Sequence, residues 1–118
     1  MVNGVLDRSV EEILQARFGV QQSSIMALCE RFQIVEMGVF GSALRNDFRE
    51  KGDDPSDVDL LIVFKNGYVR SIQTYLDLRE AAEQLFERTV DICQKDLIDN
   101  PYRRAKILRS TQVIYAAE

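Results

Sequence analysis

The chain has 118 residues, 46% of them hydrophobic and 29% charged, which predicts one globular domain with a single core over residues 1–118. A net charge of −4 without a basic tail argues against broad nucleic-acid binding. Histidine is absent, which excludes Ser-His-Asp catalysis, Cys-His catalysis and HExxH zinc sites. No apolar run approaches the roughly 20 residues that span a bilayer, and no signal-peptide pattern opens the chain, so we expect a cytoplasmic protein.

The first third of the chain predicts two helices and a strand. A pattern resembling a capping box predicts a short helix from Val10 to about Phe18, within a helical extension of about residues 8–20. A second helix is expected to begin near Ser23 or Ser24. Its apolar residues recur at the spacing of one buried face: Ile25, Met26, Leu28, Cys29 and Phe32. The β-branched and apolar run Ile34–Phe40 predicts a strand.

The middle of the chain predicts a helix–strand–helix succession. A short helix is expected from Ser42 to about Asp47, followed by a polar loop up to Pro55. The run Val58–Phe64 predicts a strand that is buried on both faces. Apart from Asp57 and Asp59, apolar residues occupy both its even-numbered and its odd-numbered positions. A longer helix should run from about Ser71 to Glu87. Its inner face is predicted to carry Tyr75, Leu78, Ala82, Leu85 and Phe86.

The last third predicts a strand, a helix and a terminal strand, which makes the whole an α/β fold. The strands are expected at Thr89–Cys93 and Val113–Tyr115, with a helix that begins at Pro101 between them. Ile107 and Leu108 should point inward from that helix. It also carries four cations, for which a solvated helix face is the favoured interpretation and a phosphate-binding or partner-binding patch the alternative: Arg103, Arg104, Lys106 and Arg109.

The two cysteines are far apart and have no second pair of ligands near them, which disfavours a zinc site. Cys29 and Cys93 are therefore expected to be buried free thiols, consistent with a reducing compartment.

Three aspartates are the candidate catalytic and metal-binding residues. Asp57 and Asp59 lie two apart at the start of a strand, so they share one face, and Asp91 interrupts the next strand. A carboxylate in a strand-like stretch is costly to desolvate unless a cation meets it. Oxygen ligands are those that Mg²⁺ and Mn²⁺ prefer, and carboxylates two residues apart can bridge two ions. Taken singly, Asp57 could be a turn cap and Asp91 a solvated strand-edge carboxylate.

A glycine and a hydroxyl at a strand end suggest a phosphate site upstream. Gly41 would let a phosphate approach the backbone, and Ser42 near a helix N-terminus would add a hydroxyl donor. Arg45, about one turn further along, could reach the same anion or form a salt bridge with Asp47 or Glu50.

Together these segments resemble the minimal nucleotidyltransferases, the small single-domain branch of the DNA polymerase beta-like nucleotidyltransferase superfamily. The resemblance is carried by Phe40-Gly41-Ser42-Ala43-Leu44-Arg45, Ser56-Asp57-Val58-Asp59-Leu60-Leu61-Ile62 and Val90-Asp91-Ile92. It implies a small mixed β-sheet flanked by helices, with Asp57, Asp59 and Asp91 as ligands of two Mg²⁺ ions. Gly41 and Ser42 would hold the triphosphate of ATP. Fourteen residues (43–56) separate the two motifs where the family has about ten, so no contacts of that loop are transferred from the family.

The resemblance further implies an antitoxin that transfers AMP from ATP to a tyrosine hydroxyl of a HEPN ribonuclease toxin. A hetero-oligomer with that toxin is expected. A non-catalytic antitoxin that acts by covering its toxin is one alternative. A nucleotidyltransferase acting on a small molecule is disfavoured, because those enzymes carry an additional acceptor-binding domain that 118 residues do not accommodate. A nucleotidyltransferase acting on RNA is disfavoured by the net negative charge of the chain.

Overall fold

The computed structural model describes Glu12, Leu14 and residues 18–41, 57–66 and 71–117. The elements in chain order are helix α1 (Gln22–Arg31), strands β1 (Ile34–Phe40) and β2 (Val58–Phe64), helix α2 (Ile72–Phe86), strand β3 (Val90–Gln94), a 3₁₀ turn (Lys95–Leu97), helix α3 (Pro101–Ser110) and strand β4 (Gln112–Ala116). All four predicted strands are therefore confirmed to within a few residues, and so are three of the five predicted helices, which correspond to α1, α2 and α3. Most of the predicted N-terminal helix and the predicted helix 42–47 lie outside the described residues.

The strands form one mixed sheet in the order β3-β2-β1-β4. Strand β1 pairs antiparallel with both β2 and β4, whereas β2 and β3 run parallel and are joined through α2. A parallel pair needs such a crossover connection, since its two strands begin at the same edge of the sheet. The sheet and its helices confirm the predicted mixed α/β architecture.

The main core lies between one face of the sheet and helices α1 and α2. Alternate residues of β2 point into it, as do the inner faces of both helices: Val58, Leu60, Ile62, Ile25, Leu28, Cys29, Leu78, Ala82 and Phe86. Each fully buried large aliphatic or aromatic side chain contributes about 1.5–3 kcal/mol. The prediction that Met26 is buried is wrong. It lies about 100° around the helix from Ile25 and is 46% exposed.

A smaller apolar cluster lies on the opposite face of the sheet, under α3. It consists of Leu61, Ile98 and Ile107, with Phe40 and Cys93 packed against them. Strand β2 is thus buried on both faces, as predicted. Leu108 does not point inward as predicted, because it follows Ile107 by one residue and is turned toward solvent. Cys29 is a buried free thiol as predicted, whereas Cys93, also predicted to be buried, is half-buried.

Two polar side chains cap the N-termini of helices α2 and α3. The Ser71 hydroxyl accepts a hydrogen bond from the Thr74 backbone N–H at 3.1 Å, at the start of α2. The Asn100 side-chain oxygen accepts bonds from the backbone N–H groups of Tyr102 and Arg103, at 2.9 and 3.1 Å. Such caps satisfy N–H groups that the helix leaves without partners, and Pro101 suits the first turn because it has no N–H to satisfy.

The buried Cys29 thiol predicts a loss of stability at alkaline pH. Burial, with a smaller contribution from Glu30, raises the pKa of Cys29 from 9.0 to about 12. The native state therefore keeps a proton that the unfolded chain releases above pH 9. The stabilisation is complete below pH 9 and disappears as the pH rises toward 12. Between pH 8 and 10.5 we expect this thiol to cost about 2 kcal/mol of unfolding free energy.

Guanidinium unfolding of the parent chain and of Cys29→Ala at both pH values measures this loss. The variant should lose less stability than the parent over the same pH interval. Cys93→Ala, which alters the half-buried thiol, should keep the loss seen in the parent. Equal losses in the parent and in Cys29→Ala would contradict the assignment.

Candidate active site

The parallel pairing of β2 with β3 places two of the candidate aspartates side by side. Asp59 is the register partner of Asp91, and Val58 is the partner of Val90. Register partners in adjacent strands point their side chains to the same face of a sheet. Asp57 precedes Asp59 by two residues, so the alternation of the strand directs it toward that face as well. All three aspartates lie where β2 and β3 begin.

The end of β1 reaches the same place from the opposite direction. Phe40 is the antiparallel partner of Asp59, and Gly41 follows with φ +69°. A Cβ at Gly41 would lie 2.5 Å from Oδ2 of Asp59, closer than any side chain permits. Gly41 therefore serves two purposes. It adopts a left-handed backbone conformation, and it lets the backbone of this turn lie directly against the Asp59 carboxylate.

The three carboxylates differ in exposure. Asp59 is half-buried, whereas Asp57 and Asp91 are exposed to solvent. Asp57 and Asp59 each make at least one further interaction with the protein. Across the described ranges, no three Asp, Glu or Cys side chains are grouped so that they could hold a metal ion. The backbone thus brings the aspartates to one face and one edge, but their side chains do not meet at a common point.

The residues at this edge fit a divalent cation in their chemistry. They provide only carboxylate oxygens, the ligands that Mg²⁺ and Mn²⁺ prefer, and Gly41 leaves room beside Asp59 that a side chain would fill. Carboxylates on adjacent strands also repel one another unless a cation lies between them. Asp57, Asp59 and Asp91 would hold such ions, and their role as metal ligands stays a prediction.

Several predicted features of the site lie outside the described residues. Ser42 and Arg45, the other two predicted nucleotide ligands, belong to the undescribed range 42–56, and so does the loop that departs from the family spacing. Only Gly41 among the predicted nucleotide-binding residues is thus placed by the structure.

A glutamate that sequence reasoning missed holds the start of β3. The Glu83 carboxylate of α2 accepts a hydrogen bond from the backbone N–H of Val90 at 3.1 Å, and it pairs with Arg79 at 3.4 Å. Because β3 is an edge strand among the described strands, none of them pairs with this N–H on its outer side. Glu83 therefore fixes the residue that immediately precedes Asp91. The four-residue spacing of Arg79 and Glu83 predicts their ion pair, but not the bond to Val90.

The comparisons with known proteins agree with this arrangement. Residues 24–114 match the family model described as nucleotidyltransferase domain. The protein adenylyltransferase MntA of Thermococcus cleftensis is 34% identical over 88 residues, which cover 75% of this chain and 80% of that protein. The chain belongs to the nucleotidyltransferase domain family.

Solved structures place it in the small branch of that family. A structure described as a candidate minimal nucleotidyltransferase is 32% identical, with a TM-score of 0.58 over 85% of this chain and 91% of the other. A toxin–antitoxin structure with AMP-PNP shares the fold at 11% identity, with a TM-score of 0.58 over 82% and 74% of the two chains. The resemblance to the minimal nucleotidyltransferases is thereby confirmed.

The helices of the described ranges include none with the length and apolar character of a membrane span.

The contact between Gly41 and Asp59 predicts a selective effect of one methyl group. Gly41→Ala should reduce nucleotidyl transfer at least about tenfold, because the new Cβ displaces the Asp59 carboxylate. The left-handed backbone should also cost about 1–3 kcal/mol of stability. Transfer of label from ATP and thermal unfolding measure the two effects.

Gly19→Ala is the matched control for this variant. Gly19 also has a positive φ, +64°, but a Cβ there meets no atom within 4 Å. The Gly19→Ala variant should lose about as much stability as Gly41→Ala. Its transfer activity, corrected for the fraction of folded protein, should equal that of the parent. Loss of transfer in both variants to the same degree would show that backbone strain, and not contact with Asp59, is responsible.

Removing the Glu83 carboxylate should loosen β3 at the site. Glu83→Ala leaves the Val90 N–H and Arg79 without this partner, so we expect a loss of about 1 kcal/mol in guanidinium unfolding. Hydrogen exchange at Val90 should also become faster. Glu80→Ala removes an exposed carboxylate from the same helix and should change neither measurement. Unaltered exchange at Val90 in Glu83→Ala would contradict this role.

Proposed function

We propose that this chain is an antitoxin nucleotidyltransferase, which transfers AMP from ATP to a hydroxyl of a cognate toxin protein and so neutralises it. The observation that carries the proposal is the register pairing of Asp59 with Asp91, with Gly41 packed against Asp59. Support comes from the 34% identical protein adenylyltransferase MntA and from the shared fold of the toxin–antitoxin structure with AMP-PNP. By family resemblance, the acceptor is a tyrosine of a HEPN ribonuclease in the cytoplasm.

The triphosphate of ATP would lie beside the end of β1. Gly41 exposes its backbone there because it has no side chain, so a phosphate could approach closely. Ser42 would donate a hydrogen bond from its hydroxyl, and Arg45 would supply a positive charge to the same anion. These contacts would orient the α-phosphorus toward the aspartates.

The three aspartates would assist an in-line substitution at that phosphorus. When bound at them, two Mg²⁺ ions, or Mn²⁺ in their place, would neutralise phosphate charge and lower the pKa of the acceptor hydroxyl. The acceptor oxygen forms a bond to the α-phosphorus while the bond to the departing pyrophosphate breaks. The hydroxyl proton passes to a carboxylate oxygen of Asp91, the best candidate for general base. The products are an AMP ester and pyrophosphate.

The exposure of the site suits an acceptor on another protein. Asp57 and Asp91 are open to solvent, and only Asp59 is half-buried, by its neighbours. A hydroxyl on a partner surface could therefore reach the carboxylates without a rearrangement of the described sheet. A hetero-oligomer of the antitoxin with its toxin follows from this proposal.

Neutralising the carboxylate of either Asp57 or Asp59 should abolish transfer of AMP. Asp57→Asn and Asp59→Asn each remove one charge that would bind a cation, so we expect at least a hundredfold loss of transfer, about 2.7 kcal/mol. Stability should change by less than about 1 kcal/mol, because the substitutions also relieve repulsion between carboxylates. The assay incubates the chain with ATP, Mg²⁺ and the protein encoded beside it, and then measures intact masses.

Asp96→Asn is the matched control, since Asp96 is an exposed carboxylate beyond the far end of β3. It should transfer AMP at the rate of the parent. Undiminished transfer by both Asp57→Asn and Asp59→Asn would refute the assignment of the site. A tight complex without any change of mass, even for the parent chain, would instead favour an antitoxin that acts by covering its toxin.

A further inference from the structure

Helix α3 concentrates positive charge in an acidic chain. Four of the 15 Lys and Arg residues lie in its ten residues, which contain no carboxylate. Since the net charge of the chain is −4, the other 108 residues together carry −8. Outside this helix, many described cations have partners within the protein. Lys95 pairs with Glu36 at 3.3 Å, and Arg79 pairs with Glu83 at 3.4 Å.

One side of α3 carries cations that are exposed to solvent. Arg104 is half-buried and donates to the backbone carbonyl of Lys95. The other three cations, and Tyr102 with 87% exposure, point to solvent. We name these residues the α3 basic face: Tyr102, Arg103, Lys106 and Arg109. No side chain of this face forms a salt bridge with a carboxylate in the described part of the chain.

The helix that carries the α3 basic face packs on the same face of the sheet as Asp59. Ile107 packs on Leu61 and Phe40, and these residues belong to the sheet face of Asp59, since Leu61 follows it by two residues and Phe40 is its partner. The last turn of α3 leads into β4, whose first residue Gln112 pairs with Val39. Val39 is two residues from Gly41, so the C-terminal end of α3 and the candidate active site share one edge of the sheet.

We propose that the α3 basic face is the docking surface for the acceptor protein, and that it binds an acidic patch on that protein. This inference rests on the proposed function and adds the chemistry by which the acceptor is recognised. An acceptor that reaches Asp59 and Asp91 with its hydroxyl extends over or beside α3. Opposite charges there would accelerate the encounter and orient the acceptor, whose own acidic surface the aspartates alone would repel.

The composition of the face favours a protein over a nucleic acid. Tyr and Arg are enriched in protein interfaces, and three exposed cations on one helix match a patch of a few carboxylates. The affinity for a nucleic acid increases with the number of phosphates that Lys and Arg neutralise, and three cations neutralise few of them. A nucleic acid would also extend along a chain whose remaining residues carry −8. Exposed cations on a helix that packs on the sheet face of Asp59 thus fit an acidic protein best.

Charge reversal on α3 tests the proposal independently of catalysis. The affinity of Lys106→Glu for the protein encoded beside this chain is measured at low and high salt, in an Asp59→Asn background that holds the reaction before transfer. We expect at least about tenfold weaker binding at low salt and a smaller difference at high salt. Lys65→Glu is the matched control, because Lys65 is an exposed lysine beyond the other end of β2.

The outcomes separate this inference from the proposed function. If Lys106→Glu weakens binding of the partner and Lys65→Glu does not, docking through α3 is supported. This conclusion does not depend on whether the parent chain, which keeps Asp59, transfers AMP. Equal effects of Lys65→Glu and Lys106→Glu, no effect of either, or no binding by the unsubstituted chain would overturn it. Two further results would also overturn it. One is loss of affinity for Mg²⁺-ATP in Lys106→Glu with partner binding unchanged, and the other is tight binding of a single-stranded RNA oligomer that requires Lys106.

Discussion

The parallel register between β2 and β3 is the constraint on which the candidate active site depends. It makes Asp59 and Asp91 neighbours, although 31 residues separate them in the chain. A shift of this register by one residue would turn one aspartate toward the core and leave the other on the open face. The apolar partners on either side oppose such a shift. Val58 and Leu60 are fully buried and would have to leave the main core.

Strand β2 serves the core and the site through its alternation. Its even-numbered residues pack under α1 and α2, while Asp59 and Leu61 lie on the other face. The main core contains most of the buried apolar side chains, so the sheet face that carries Asp59 can remain partly exposed to solvent. Leu61 contacts the apolar side of α3, and Asp59 one step along the same face meets Gly41. The same strand thus anchors the fold and presents the carboxylate.

The strands and later helices were predictable because their signals are local. Runs such as Val58–Phe64 and the caps Ser71 and Asn100 identify their elements without knowledge of the fold. The errors at Met26 and Leu108 have one cause, since each was assigned to a buried face from its apolar character alone, although its neighbour occupies that face. The bond from Val90 to Glu83 joins a helix side chain to an edge strand, which no spacing within one element reveals. Likewise, the approach of Gly41 to Asp59 depends on antiparallel pairing of two strands, and 17 residues separate these two positions in the chain.

Negative and positive charges lie in different parts of this small fold, which its net charge of −4 does not show. Three aspartates lie at the edge where β2 and β3 begin, while α3 carries exposed cations on the same side of the sheet. Under the proposed function, the opposite charges of the triphosphate and of the divalent cations would largely cancel each other at the aspartates. The field of the α3 basic face would therefore remain for an approaching protein. A buried apolar contact, Ile107 on Leu61, holds that helix in place, so the orientation of the positive face follows from the same sheet that positions Asp59.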